Sequence, residues 1–280
     1  MTGGTMSTEV FTARGDHGPR PPLTAGERIG AVTGYLLLVY RRTLRGTIIS
    51  TFVSPLFFLL AMGIGLGSLI DERIGGLGGV PYLQFVVPAI VAMQTMWLAM
   101  FEATYPVMDY IKWSKLYDSM LATPLRVRDI LVGHIGSIAG RLVVATAVFM
   151  LVASLFGGFT TWGALWCLPI AVLTGLAFTV PIFGFTATQD NEDGFTILFR
   201  LIATPLMLFS GTFFPIDQLP AWMQPLAWVT PLWHGVESAR MVALRTVDPP
   251  WLALHLGVLL VFVLVAWVLC ERALTRRLVR

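Results

Sequence analysis

Six apolar runs, separated by short polar or proline-rich connections, dominate the chain; they cover 47–69, 82–101, 130–156, 164–187, 197–214 and 251–270. Each is close to the roughly 20 residues that an α-helix needs to cross about 30 Å of hydrocarbon. In lipid every backbone donor and acceptor must be satisfied within the segment, so runs of this length predict an all-α, six-span helical bundle over 47–280. Ahead of them the pattern changes. Thr24 and Glu27 have the spacing of a capping box, and Ile29, Val32, Leu36, Val39 and Tyr40 follow at helical intervals. That predicts an amphipathic interface helix over 24–46, with Arg41, Arg42 and Arg45 at headgroup level. Residues 1–23, with scattered Gly, Pro and Arg, are expected to form a disordered cytosolic tail. The stretch before the first run is too long and polar to be the leading part of a secretory signal.

Composition agrees with the pattern. With 56% hydrophobic and only 12% charged residues, and a mean hydropathy of +0.75, the chain is excluded as a cytosolic enzyme or a free nucleic-acid-binding domain. The net charge of +3 says little, but its placement says more. With the N-terminus inside, fifteen of the nineteen Lys and Arg residues fall on the cytosolic side, among them Lys112, Lys115, Arg126, Arg128, Arg200, Arg272, Arg276, Arg277 and Arg280. Only Arg73, Arg240 and Arg245 fall outside, and Arg141 lies within a span. The positive-inside rule then predicts a multi-pass protein of the plasma (inner) membrane with both termini cytosolic. Cys167 and Cys270 fall near opposite faces and read as packing residues.

Two connections are long enough to hold structure. In the cytosolic one, Pro106 is expected to end the second span. A short amphipathic helix over 109–121 should follow, setting Ile111, Leu116 and Met120 against Lys112, Lys115 and Asp118, until Pro124 stops it. The outer connection carries Trp222, Trp228 and Trp233, too apolar a set for a solvated loop. Asp217 is expected to cap one short helix there, and Thr230 with Pro231 to start another through about Leu244. Together they predict a re-entrant outer hairpin over 215–246, anchored by tryptophans at the interface. A membrane-surface lid with no part in translocation is the alternative.

Several chemistries lack their residues. No Gly-x-x-x-x-Gly-Lys-Ser/Thr exists, since Trp113 follows Lys112 and Leu116 follows Lys115, so this chain has no P-loop of its own. His17, His134, His234 and His255 show no metal-ligand spacing. Acidic groups are nearly absent from the spans, which argues against an ion-driven carrier. One intramembrane charge remains: Arg141, an expensive group unless paired, and Glu102 closes the second span from the same side. We expect the two to meet between helices, either holding the second span against the third as the connection moves or as a static pair. Gly63 with Gly67 and Gly136 with Gly140 have spacings that permit close helix contact, within one chain or at a dimer seam.

The strings FEATYPVMDY and LATPLRVRDILVGH, followed by LIATPLMLFSGTFFPIDQLPAWMQPLAWVTPLWHGVESARMVAL, closely resemble ABC-2 permeases, in the branch containing the nodulation lipooligosaccharide exporters and related drug-export subunits. The likeness covers nearly all of the chain after residue 24, and Ser-Gly-Thr-Phe-Phe-Pro, Leu-Pro and Thr-Pro-Leu stand in family order. It implies the membrane subunit of an ATP-driven exporter, assembled from two permease chains and two separate nucleotide-binding subunits that bind MgATP; this chain itself would hold no cofactor and no metal. The coupling helix seated on the ATPase would then comprise Asp109, Tyr110, Lys112, Trp113, Lys115, Leu116, Tyr117 and Asp118. Phe52, Phe57, Phe58, Met62, Phe209, Phe213 and Phe214 would face a conduit or dimer seam, unless they face lipid, and Pro215, Trp222, Trp228 and Trp233 would belong to the outer gate. Such a conduit suits a lipid, glycolipid or amphipathic drug. An ATP-independent channel or membrane-embedded scaffold is the rival reading, but no filter-like segment supports the channel.

Overall fold

The computed structural model describes residues 23–279 apart from Gly78, and side chains in that range except at 43–55, 58, 64 and 74. The first helix begins where the capping box lies. The Thr24 hydroxyl accepts the Glu27 backbone N–H at 3.3 Å, and the Glu27 carboxylate accepts the Thr24 N–H at 2.7 Å. The bond from the Thr24 backbone above all, and a second from the Thr24 hydroxyl at 2.8 Å, hold the exposed Glu27 carboxyl below the ordinary carboxylate range.

From there α1 (Ala25–Leu59) passes through a π-helical stretch (Leu60–Leu66) into α2 (Gly67–Ile74). The expected interface helix and first span are thus one unbroken run. Only Gly46 stands between them, and a single glycine weakens a helix without ending it. The run stops at Gly75, whose φ of 72° lies in the left-handed region that glycine adopts without strain.

Pro106 does not end the second span. Helix α3 (Tyr82–Met108) holds both Pro88 and Pro106 and continues as π turns over Asp109–Trp113. The Asp109 N–H still reaches the carbonyls of Tyr105 and Pro106 at ordinary and tight helical spacing, and the Ser114 N–H closes a wide turn on the Asp109 carbonyl at 2.9 Å, so the helix runs on past the one donor that Pro106 lacks. Then come α4 (Leu116–Leu121), α5 (Val127–Leu155), a 3-10 turn (Trp162–Trp166) and α6 (Cys167–Thr188).

The fifth apolar run is shorter and more broken than expected. It forms α7 (Asp193–Ile197), a π stretch (Leu198–Ala203) and α8 (Thr204–Phe209), then turns at Ser210 and Gly211, the latter with φ 77°. Phe213 and Phe214 lie beyond the helix. After a 3-10 turn (Ile216–Gln218), α9 (Gln224–Trp228) and α10 (Pro231–Ala243) build the outer segment, and α11 (Pro249–Leu278) closes the chain. Thr230 caps α10 by accepting the Trp233 N–H at 3.4 Å. Asp217 caps nothing, because it lies inside the 3-10 turn.

The fold is all-helical among the described residues. Among the described residues four helices are long and apolar enough to cross a membrane: Tyr82–Trp113, Val127–Leu155, Trp162–Thr188 and Pro249–Leu278. Helix α3 is the central post, its middle buried on nearly every side by α5, α6 and α10, while α11 packs on α6 and α10 and leaves most of its surface exposed. Small residues make the close crossings. Any Cβ at Gly235 would lie 2.2 Å from the Thr174 hydroxyl, so α10 meets α6 only because that position is bare.

The amphipathic face of α1 packs on α5. Val32 and Leu36 are buried, the Thr33 hydroxyl donates to the Gly133 carbonyl at 3.1 Å, and Arg28 pairs with Asp129 at 2.7 Å. Gly136 and Gly140 face Thr33 and Leu37 in the same seam, and Gly63 and Gly67 face Leu83 and Tyr82 of α3. Both glycine pairs therefore serve packing within one chain. A Cβ at Gly133 would come within 2.7 Å of Val32. Gly133→Leu should wedge α1 from α5 at a cost of about 1–3 kcal/mol, seen as a lower unfolding temperature in detergent; unchanged melting would show that the seam opens freely.

Candidate functional site

At one end of the bundle α3 emerges, kinks and returns as α5, and the kink is local backbone chemistry. The segment 109–121 is not the single helix that the sequence suggests. Lys115 takes φ 48°, a left-handed conformation, so the π turns end at Trp113 and α4 starts afresh at Leu116. The result is an elbow with two faces. Lys112, Trp113, Ser114, Lys115, Asp118 and Ser119 point outward, with Trp113 53% exposed.

Tyr117 faces the other way. It is fully buried, its ring packs edge-on against Tyr110 and His134, and its hydroxyl bonds to His134 Nδ1. Burial pushes its phenol well above the ordinary range, so it stays protonated in that bond. The expectation that Tyr117 meets a partner beside Trp113 is corrected by this placement: it is the inner anchor of the elbow. Leu116, Asp109 and Tyr110 are half-buried between the two faces.

Ties at the same end hold the elbow to the bundle. Lys112 Nζ donates to the Asp190 carbonyl at 2.6 Å, and Arg277 donates to the Asp190 carboxylate at 2.7 Å. Asp190 thus connects α3, the α6–α7 turn and the end of α11. Asp129, at the first turn of α5, accepts from the Arg126 backbone at 3.0 Å as well as from Arg28.

One level deeper, the structure brings Glu102 and Arg141 together as a buried ion pair between α3 and α5. The guanidinium also lies 4.3 Å from the centre of the Tyr40 ring of α1. Three helices thus meet at one charge pair. Beside it an aromatic ladder fastens the broken fifth segment to α3: Phe199 stacks on Trp97 at 5.8 Å and on Tyr105 at 6.4 Å, and Phe195 meets Tyr105 edge-on at 5.2 Å.

The opposite end is organised by a residue that the sequence offers only as an outer charge. Arg240, on α10, is 5% exposed. Its Nε donates to the Phe85 carbonyl at 3.2 Å, its Nη2 to the carbonyls of Gly211 at 2.5 Å and Thr212 at 3.1 Å, and its Nη1 to Glu237 at 2.9 Å. Its flat head covers the Phe85 ring at 3.8 Å. The Ser210 and Thr212 hydroxyls lie 3.0 Å apart and the Tyr82 hydroxyl donates to the Phe213 carbonyl at 3.3 Å, so the Ser-Gly-Thr-Phe turn is pinned to the start of α3. A buried arginine with four acceptors has no periodicity or spacing signature, which is why the sequence does not mark it.

The other expected positions are less tightly gathered. Phe57 is 66% exposed and Phe209 37%, while Met62, Phe213 and Phe214 are half-buried. The Phe52 and Phe58 side chains lie outside the described residues. In the outer segment Trp222 and Trp228 are 72% and 48% exposed, whereas Pro215 and Trp233 are half-buried. His234 and His255, distant in sequence, form a direct ring-to-ring hydrogen bond of 2.7 Å. No cluster of three His, Cys, Asp or Glu side chains suited to a metal occurs among the described residues.

A bundle of membrane-length helices, with a polar elbow at one end and a tryptophan-rich helical segment at the other, is the architecture of a membrane-embedded protein. The chain belongs to the ABC-2 type transporter family, whose sequence profile matches residues 27–244. It is 32% identical to Nodulation protein J of Rhizobium leguminosarum bv. trifolii over 246 residues, covering 87% of this chain and 91% of that protein. Nodulation protein J of Rhizobium meliloti (strain 1021) is 29% identical, with 86% and 90% covered. The inner membrane transport permease YadH of Escherichia coli (strain K12) is 24% identical over 228 residues, covering 81% of this chain and 88% of that protein. Membership of this family associates the chain with an ABC ATPase subunit in general terms.

Proposed function

We propose that the chain is the membrane subunit of an ATP-driven exporter that moves a lipid, glycolipid or amphipathic drug outward, working as two permease chains with two ATPase subunits that bind MgATP. The observation that carries this reading is the elbow: an exposed Trp113, flanked by Lys112 and Lys115, mounted on the buried post α3 in a chain without a P-loop. An indole ringed by charge is the composition of an interface anchor. ATP binding in the partner would favour one bundle conformation only through that contact.

In this reading the bundle has six spans, with α1–α2 as the first and α7–α8 as the fifth, and both termini are cytosolic. Phe57, Met62 and Phe209, with their neighbours Phe52, Phe58, Phe213 and Phe214, face the conduit or the second permease. The exposure of Phe57 and Phe209 supports this. Pro215, Trp222, Trp228 and Trp233 form the outer gate, re-entrant from the far side, and the Glu102–Arg141 pair keeps α3 and α5 in register while the elbow moves. The likeness of its motifs to the nodulation lipooligosaccharide exporters supports an amphipathic cargo.

The test is purification of the full chain with the P-loop ATPase encoded beside it, followed by reconstitution in liposomes. A stable complex whose ATP turnover rises with cargo and stops with a Walker A variant of the ATPase is the expected result. Cargo release that proceeds without nucleotide would overturn the ATP-driven reading in favour of a channel.

A further inference from the structure

Between α10 and the first turns of α11, the surface opens into a cleft of about 810 Å³, within the range of sites that hold small amphipathic molecules. Trp228, Trp233 and Trp251 wall its outer end, and Leu254, Val258 and Phe262 extend it along α11. The apolar wall does not stop there: Val265 and Leu269, farther along the same face of α11, are 59% and 60% exposed. A tail lying in the cleft therefore continues into the acyl region of the bilayer.

The polar end has a definite hydrogen-bond pattern. The Trp228 carbonyl can only accept, so His234 Nε2 carries a proton and donates to it at 2.9 Å. In the neutral ring His234 Nδ1 is then an acceptor, and the 2.7 Å bond to His255 must be donated by His255 Nδ1. That leaves His255 Nε2 as a lone pair, on a residue only 2% exposed, in the lining of the cleft. Glu237 lines the same end with one oxygen held by Arg240 and the other without a partner among the described residues. The Trp233 indole N–H, in the same wall, is buried and has no acceptor among them.

Two acceptors and one donor around a small polar end are the complement of a head with neighbouring hydroxyl groups, two of which give two hydrogen bonds while one takes the third. A phosphate or sulfate can only accept and would face the Glu237 carboxylate. A quaternary ammonium would satisfy neither the histidine nor the indole. Indole faces also suit the apolar faces of sugar rings. We propose that this cleft is a lateral binding site for a neutral, hydroxyl-headed amphiphile that enters sideways from the bilayer, its head against His255 and Glu237 and its chain along α11. The site does not depend on ATP-driven export and stands or falls separately from it.

The probe is a decyl β-glucoside carrying a photoreactive diazirine in its chain, added to the full-length protein in phosphatidylcholine nanodiscs. Saturable labelling of peptides within 228–262 is expected, displaced by unlabelled decyl glucoside but poorly by decyltrimethylammonium or decyl sulfate. His255→Phe keeps the ring volume and removes the acceptor, and should weaken binding about fivefold to tenfold, the worth of one hydrogen bond. Trp251→Ala, at a rim position 54% exposed, should weaken it to a similar degree and guards against a folding defect in the first variant. Non-saturable labelling, equal displacement by all three heads, or unchanged affinity in both variants would overturn the proposal.

Discussion

Replacing Arg240 with alanine is expected to destabilise the protein by about 3 kcal/mol or more, the range for breaking a buried charge network. The reason lies in what is left behind. The carbonyls of Phe85, Gly211 and Thr212 lose their donor in a buried place, whereas Glu237, 28% exposed, can recover water and adds less. For a domain of this size such a loss lowers the unfolding temperature by roughly 6–12 °C. Arg240→Lys should fall between, because one ammonium cannot span acceptors on two separate strands of backbone as a planar fork does. The accompanying signature is local: the Ser210–Phe214 turn should gain amide hydrogen exchange while α5 and α6 keep theirs. Melting and exchange that match the wild type would show that the turn is held by its own hydroxyl contacts and not by Arg240.

Trp113 and Tyr117, four residues apart in sequence, should behave as opposites. Trp113→Ala removes an exposed ring and touches no internal packing, so melting should stay within about 0.5 kcal/mol of the wild type. At an interface the same change should cost roughly 2 kcal/mol or more, a loss of copurified ATPase of well over tenfold. Tyr117→Ala empties a fully buried site and strands the His134 ring, costing about 3–5 kcal/mol of stability. Tyr117→Phe isolates the hydroxyl and should cost about 1–2 kcal/mol with the ATPase still bound. Separate thermal melts and pull-downs of the three variants decide the matter. Undiminished ATPase capture by Trp113→Ala would remove the elbow from the coupling role.

Reading the sequence succeeded where a pattern repeats and failed where a single residue governs. The Thr24–Glu27 box, the Thr230–Pro231 helix start and the apolar face of α1 all recur at intervals fixed by helix geometry, and all three are present. Pro106 misled because its cost is local: the helix widened into π turns and ran on to Trp113. Lys115 misled in the opposite sense, since nothing in its chemistry announces a positive φ, yet that one rotation splits the expected helix and turns Tyr117 inward. The fifth run was set too far along the chain because hydropathy counts Phe213 and Phe214 alike with Phe209, though the helix starts at Asp193 and the chain has already turned at Gly211.

By itself the sequence determined that this is an all-helical membrane protein without a P-loop, and it put Glu102 and Arg141 on facing helices, because solvation by lipid acts on every residue of a span and leaves a periodic record. Only the tertiary structure decided which charges are buried latches, which side of the elbow is free, and that His234 and His255 share a proton bridge at the floor of a cleft. Those outcomes depend on directions in space between segments far apart in the chain, and direction is set by packing, which no local pattern encodes.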